Sequence, residues 1–203
     1  FETDGGGFTH GGSVDRWNRS TNRAATGQYA WYCGTAGTRQ YPNSMNASLD
    51  TPPVMIRPSA SLIFQHWIRC EYDSGAYYWD GGVVEISTNA GTDFTALTPE
   101  GGYPSLITPN PASPFPANTP CYANTGGWQP ATFDLAPYAG QKAIVRFRFG
   151  SDGSVGDEGW YVDDVRIVST GAYSNWVTLV PATGVLAMAK STNFAVRLDA
   201  SGT

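Results

Sequence analysis

A strict period of two constrains this chain more than any other feature. Val145, Phe147 and Phe149 alternate with Arg146 and Arg148. Leu62, Phe64, His66, Ile68 and Cys70 share one face of a second run, with Ser61, Gln65 and Arg69 opposite. Successive side chains of a strand point to opposite faces, so each run reads as a strand with one face in a core. Residues 161–168 and 82–87 read as two more strands, the latter opened by the Gly81-Gly82 turn. Turn residues recur between the runs, at Asp50-Thr51-Pro52-Pro53, Asn89-Ala90-Gly91, Pro99-Glu100-Gly101-Gly102 and Ala139-Gly140. No window of about twelve residues carries apolar side chains at helical spacing. Many short strands joined by Gly and Pro turns predict an all-β, antiparallel jelly-roll sandwich.

Composition agrees and removes other classes. An apolar share of 41%, with 13% aromatic residues, can bury a core that a disordered chain lacks. Lys142 and Lys190 are the only lysines, so the clustered bases that neutralise phosphates are missing and nucleic acid is excluded as the main partner. The uncharged run 167–189 is interrupted by Ser, Thr, Asn, Gly and Pro181 and does not read as a membrane span. The charge is −5, and it is unevenly placed. Asp152, Asp157, Glu158, Asp163 and Asp164 lie in one stretch without a base, and the rest of the chain is balanced.

Cys33, Cys70 and Cys121 show no C-x-x-C spacing and no His-rich surroundings, which argues against zinc. Their odd number allows one disulfide and one free thiol, with the pairing open. Few lysines, many Thr, Ser, Asn and Gly, and many aromatics read as a secreted or cell-surface protein. Asn18-Arg19-Ser20 and Asn46-Ala47-Ser48 match the glycosylation sequon, a short triplet that recurs by chance.

The chain divides near residue 170. Residues 1–170 read as the jelly-roll domain, within which 103–127 is an extended surface insertion carrying Pro104, Pro109, Pro111, Pro114, Pro116 and Pro120. Residues 171–203 read as a linker and the start of a second β domain, with strands in 176–184 and 193–199. Phe1 reads as a processed or cloned boundary, and the C-terminus as a cut inside a larger multidomain protein.

Several segments carry a family pattern. They are Phe1-Glu2, Asp50-Thr51-Pro52-Pro53-Val54, Leu62 to Trp67 with Glu71, Trp79 to Ser87, Ala131 to Gln141 and Val145 to Phe149. The most specific is Gly159-Trp160-Tyr161-Val162-Asp163-Asp164-Val165. Together they resemble the MAM-like, galactose-binding-like jelly-roll domains appended to secreted bacterial peptidases of the immune inhibitor A type, to cleaved adhesins and to choice-of-anchor surface proteins. The tail from Trp176 resembles the opening of immunoglobulin-like repeats. The resemblance implies a non-catalytic, calcium-binding β-sandwich outside a bacterial cell. It implies no single ligand, and the Pro-rich insertion and the cysteines depart from it.

Hard cations take six to eight oxygen ligands. The loop 151–159 offers Asp152, Asp157 and Glu158 with three glycines that let carbonyls turn inward. Asp163 and Asp164 are adjacent on a strand, so at most one of them shares a given cation through its side chain. Asp80 is a further loop carboxylate, and Glu71 a weaker one. By resemblance, Glu2 of the first strand joins the late Asp pair. The expected ligands of a structural Ca²⁺ are therefore Glu2, Asp80, Asp152, Asp157, Asp163 and Asp164. The competing reading is a solvated acidic loop in which Asp163 or Asp164 caps turn amides.

Exposed aromatic rings stack on sugars, and Trp17, Tyr77, Tyr78 and Trp79 are the candidate ligand-binding residues; Trp160 reads as structural. His66 reads as a hydrogen-bonded core histidine, and no motif of a hydrolase or phosphate loop occurs. Cys70 and His66 lie roughly 13 Å apart along one strand, too far for a nucleophile pair. Glu71, Asp73, Asp80 and Glu85 keep open a carboxylate-based glycosidase. The expected role is an accessory module that recognises or positions an extracellular glycan or protein surface for attached catalytic or adhesive domains. Alternatives are an adhesin module, a spacer for a neighbouring peptidase, and a polysaccharide-active enzyme.

Overall fold

The computed structural model describes residues 1–169 throughout, and beyond them the strand backbones Val177–Val180 and Ala195–Leu198. Phe1–Ser169 forms one compact unit and the remaining chain another. In chain order the strands are β1 (Thr9–Ser13), β2 (Trp17–Ser20), β3 (Ala30–Cys33), β4 (Asn46–Asp50), β5 (Val54–Met55) and β6 (Ala60–Arg69). Then come β7 (Tyr72–Ser74), β8 (Tyr77–Tyr78), β9 (Gly81–Ser87), β10 (Thr95–Ala96), β11 (Ser105–Ile107) and β12 (Pro120–Cys121). The unit closes with β13 (Gln129–Asp134), a 3-10 turn at Ala136–Tyr138, β14 (Lys142–Gly150) and β15 (Gly159–Ser169). In the second unit β16 (Val177–Val180) pairs antiparallel with β17 (Ala195–Leu198). The flanking residues of the two tail strands read from the sequence, and Trp176, lie outside the described residues.

One sheet runs β1-β4-β14-β9-β10, with β5 pairing the start of β14, and the other runs β13-β6-β15-β3-β2. The chain passes back and forth between the sheets, from β3 to β4, β6, β9 and β10, then β13, β14 and β15. Counted in that order, one sheet reads 1-8-3-6 and the other 2-7-4-5, the double Greek key of a jelly roll.

The alternation seen in the sequence places the core. Val145, Phe147 and Phe149 of β14 are fully buried, and so are Leu62 and Ile68 of β6. Phe64 of one sheet meets Phe147 of the other edge-on, ring centres 5.0 Å apart, and Trp160 lies 5.8 Å from Phe147. Gly82 makes room for that indole. A Cβ at Gly82 would sit 2.5 Å from the Trp160 ring.

The Pro-rich insertion is more than a surface loop. It supplies β11 and β12 to a small sheet of order β12-β11-β8-β7, and Ile107, Phe115 and Cys121 from it are buried. Its prolines confine it to these short strands, because each lacks a ladder donor. Cys33, Cys70 and Cys121 are all buried and unbonded, so no disulfide forms.

Candidate functional site

Three carboxylates from three connections converge at one end of the sandwich. Glu71 follows β6, Asp80 precedes β9 and Asp152 follows β14. One oxygen from each lies within 4.8 Å of the other two. Asp80 is fully buried; its Oδ2 accepts the Tyr41 hydroxyl at 2.7 Å and its Oδ1 the Asp152 amide at 2.7 Å. Asp152 accepts the Asn110 side-chain amide at 2.7 Å and the Ser154 amide at 2.9 Å. Glu71 Oε2 is buried and has no hydrogen-bond partner.

Such a buried, orphaned carboxylate oxygen is costly without a counter-charge. Burial pushes Asp80 up to about 7, against the hydrogen bonds from Tyr41 and Asp152, and the charges of Asp152 and Glu71 push the same way. Glu71 is also raised, by burial and then by Asp152 and Asp73. Like charges crowded out of water behave in this way, and a cation among them reverses it. The donor set is all oxygen and suits a hard cation such as Ca²⁺. Of the expected ligands, only Asp80 and Asp152 belong to this group. Glu71, the weaker candidate, completes it.

The other acids go elsewhere. Asp157 pairs with Arg69 at 3.0 Å and caps the Glu158 amide at 2.7 Å. Asp163, nearly buried, accepts the amides of Ala25 and Thr26 at 2.9 and 3.3 Å, and Asp164 accepts the Thr26 hydroxyl at 2.8 Å. Glu2 accepts the amides of Gln28 and Tyr29 at 2.9 and 3.1 Å, which hold its carboxyl below the usual range. Glu2, Asp163 and Asp164 therefore clasp one loop, residues 25–29, by hydrogen bonds, and Asp163 caps turn amides as the competing reading held. Asp163 and Asp164 do not simply alternate, because the β15–β6 register shifts between Asp163 and Arg166 and Asp164 has φ +50°.

The acidic stretch has no base in sequence but has bases in space. Arg23 holds Glu158 by two bonds of 2.7 and 2.9 Å, and Arg39 by one of 2.6 Å. Burial, the largest single influence on Glu158, raises it. The bonds from Arg23, Arg39 and Tyr161 outweigh burial and bring it to about 2.

The aromatic candidates separate. Trp17 is 2% exposed and packs on Trp160 at 5.9 Å, so it belongs to the core and cannot meet a ligand. Tyr77, Tyr78 and Trp79 are half-buried. Tyr72, not singled out in the sequence, is 56% exposed and meets Tyr78 edge-on at 5.3 Å. Its signal was local: it lies on the β7 arm of the hairpin that carries Tyr77 and Tyr78 on β8.

His66 and the three thiols are buried. His66 is 2% exposed and accepts the Trp160 indole N–H at 3.3 Å, and burial lowers it to about 3. Burial raises all three thiols, that of Cys121 to about 12. Asp73 accepts the Thr108 hydroxyl and Glu85 pairs with Arg148 on the outer face of β9, so the four carboxylates left open for glycosidase chemistry do not share one cleft. The sequons are engaged as well: Asn18 Nδ2 donates to carbonyls of Arg16, Tyr32 and Gly34, and Asn46 Oδ1 accepts from Arg148.

The outer face of the β1-β4-β14-β9 sheet forms a polar trough of about 680 Å³. Arg146 grips Asp50 through two bonds of 2.8 Å and lies 3.5 Å over the Phe94 ring. Arg148 bonds Asn46 at 2.8 Å, Glu85 at 3.3 Å and the Pro114 carbonyl at 3.1 Å.

A jelly-roll β-sandwich with a convergent carboxylate triad is the class that fold and site define. By sequence, the chain is 30% identical over 172 residues to Bacillopeptidase F of Bacillus subtilis (strain 168), an alignment that covers 81% of this chain and 10% of that protein. It is 27% identical over 145 residues to the pre-pro-metalloprotease PrtV of Vibrio cholerae serotype O1, covering 71% of this chain and 14% of that protein. The chain thus spans about a tenth of the length of these relatives. No family model matches it. Among solved structures it is similar to carbohydrate-binding modules of the β-sandwich superfamily, at 16% identity and a TM-score of 0.49 over 82% of this chain and 58% of that one. It is also similar to the K3 cleaved adhesin domain of Lys-gingipain from Porphyromonas gingivalis, at 18% identity and a TM-score of 0.46 over 80% and 91%. The peptidase relatives bear out the resemblance read from the sequence, to accessory modules of such proteins. No helix among the described residues is long and apolar enough to cross a membrane.

Proposed function

We propose that this chain is a non-catalytic accessory module of an extracellular multidomain protein, stapled by a divalent cation, that presents an aromatic hairpin to a glycan or protein surface. One relationship carries the reading. Glu71 immediately precedes β7 and Asp80 closely follows β8, so two of the three convergent carboxylates flank the hairpin that bears Tyr72 and Tyr78. The Asp152 amide ties Asp80 to the loop after β14, and the Asp152 carboxylate lies beside that of Glu71. Glu71, Asp80 and Asp152 would hold Ca²⁺, which offsets most of the triad's charge and fixes the base of the hairpin.

A cation that binds the folded state alone stabilises it by mass action, by about 2.7 kcal/mol at a hundredfold excess over Kd. Two tyrosine rings on a short hairpin offer an apolar face and a polar tip, the combination that sugar rings and protein anchors use. Relatives that are peptidases, of which the chain spans about a tenth, support a role beside a catalytic domain and not as one.

Thermal melting with Ca²⁺ and then with a chelator tests the staple. The expected result is a melting temperature that rises with Ca²⁺ and falls on chelation; an unchanged temperature would sink the assignment. Glycan-array binding with Tyr72→Ala and Tyr78→Ala tests the hairpin, and both substitutions are expected to weaken any signal that depends on it.

A further inference from the structure

We infer that the trough on the β1-β4-β14-β9 sheet is a second ligand site, built for a neutral oligosaccharide held by hydrogen bonds. This inference uses the reading of the chain as a recognition module but neither the cation nor the tyrosine hairpin. The trough volume of about 680 Å³ falls within the ~300–1,000 Å³ usual for small-ligand clefts.

Its floor is kept low by small residues. In the sheet register Gly11 of β1 faces Ser48 of β4, and Ser48 faces Arg148 of β14. A Cβ at Gly11 would meet nothing within 4 Å, so the space above it is open. Around this floor the polar groups are pre-set. Arg146 is fixed by its two-point grip on Asp50, and Arg148 by Asn46, Glu85 and a carbonyl. Planar groups braced in this way keep their remaining donors and acceptors in place without a further entropy cost on binding.

Several of those groups stay unspent. The Ser48 hydroxyl, the Asn46 side-chain NH₂ and Arg146 Nη1 have no hydrogen-bond partner among the described residues, while the Asp50 oxygens each keep acceptor capacity beyond Arg146. Donors and acceptors interleaved at this density suit vicinal hydroxyls, each of which donates and accepts. Charge excludes the anionic alternatives. Both arginines already face carboxylates, and Asp93 adds a further negative charge to the rim, so uronates, sulfates and phosphates meet no excess positive charge. Stacking is a minor part of the recognition, because Arg146 covers one face of Phe94 at 3.5 Å.

The test is calorimetric titration of the purified chain with neutral hexasaccharides of the β-1,4-glucan, xylan, mannan and α-1,4-glucan types, and with an oligogalacturonate as the anionic probe. At least one neutral series is expected to bind, with little or no binding of the oligogalacturonate. Gly11→Trp starts from a Cβ in open space and sets an indole in the trough, and it is expected to weaken that binding at least tenfold at an unchanged melting temperature. Ser48→Tyr serves the same purpose should Gly11→Trp fail to fold. Tyr72→Ala is expected to leave it unchanged. The inference is overturned if no neutral series binds, if the oligogalacturonate binds as tightly, if a peptide ligand occupies the trough instead, or if a folded trough variant keeps full affinity. Binding lost in Tyr72→Ala but kept in Gly11→Trp would overturn this site and leave the hairpin reading intact.

Discussion

The Tyr41 hydroxyl donates to Asp80 Oδ2 at 2.7 Å while its oxygen accepts the Glu71 amide at 2.9 Å. One buried phenol therefore joins two of the three residues of the carboxylate triad. Burial and the adjacent acids keep that phenol protonated far above neutral pH, so it acts as a permanent donor to Asp80. Tyr41→Phe removes both bonds and leaves a buried carboxylate and an amide without their partner. A loss of about 1–3 kcal/mol is expected in urea unfolding, together with weaker Ca²⁺ stabilisation.

Asp80→Asn and Glu71→Gln each take a charge from the triad. Both are expected to abolish most of the Ca²⁺-induced rise in melting temperature. Asp157→Asn, whose carboxylate is spent on Arg69 and the Glu158 amide, is expected to keep that rise. Scanning calorimetry with and without Ca²⁺ separates the two sets.

Acid lability follows from His66. Its folded value is about 3 against an ordinary 6.5. Above pH 6.5 it is neutral folded or unfolded and contributes no pH dependence. Below that the unfolded chain takes up the proton while the native chain refuses it, so stability falls as pH drops from about 6.5 toward 3, by up to about 1.4 kcal/mol per pH unit. His66→Asn keeps an acceptor for the Trp160 indole and removes the titration. Unfolding free energies measured across that range are expected to flatten, on a lower baseline at pH 7.

Glu158 acts in a lower window. Its folded value of about 2 lies below the ordinary 4.5, so its stabilising contribution is complete above about pH 4.5 and is lost as pH falls from there toward 2. Glu158→Gln is expected to lower the melting temperature at pH 7 and to remove its own share of the stability loss below pH 4.5, leaving that of His66. The loss at pH 7 shrinks with added salt only modestly, since Glu158 is largely shielded from solvent.

Gly82→Ala inserts a methyl group 2.5 Å from the Trp160 ring, which is itself fully buried between the sheets. A fully buried indole in a close-packed core gives way only by displacing its neighbours. A destabilisation of about 1–3 kcal/mol or more is expected, readable as a lower urea midpoint.

The two-residue period of β6 and β14 was enough to mark their buried faces and, with the turn spacing, the antiparallel sandwich. It was enough because burial on a strand depends only on the parity of position. His66 was legible as a core residue for the same reason. The acidic stretch was legible as an unusual concentration of charge, but its partners were not. Arg23 and Arg39 lie more than a hundred residues from Glu158 in sequence, and only the packing of the loops beside β15 brings their guanidinium groups onto it. Local counting therefore saw an uncompensated run where the fold has ion pairs.

The same limit governs the triad. Glu71, Asp80 and Asp152 sit after β6, before β9 and after β14, strands that two different sheets carry. Their convergence depends on which strand ends the Greek-key crossings bring together, and no spacing within the chain encodes it. Trp17 and Tyr72 make the contrast sharpest, since both are aromatic residues on short strands. The sandwich buries the first against Trp160 and leaves the second in water. The sequence by itself determined the periodicity, and hence the strands, their faces and the class of fold. Tertiary structure alone decided which charges meet and which rings stay exposed, because those depend on contacts between residues far apart in the chain.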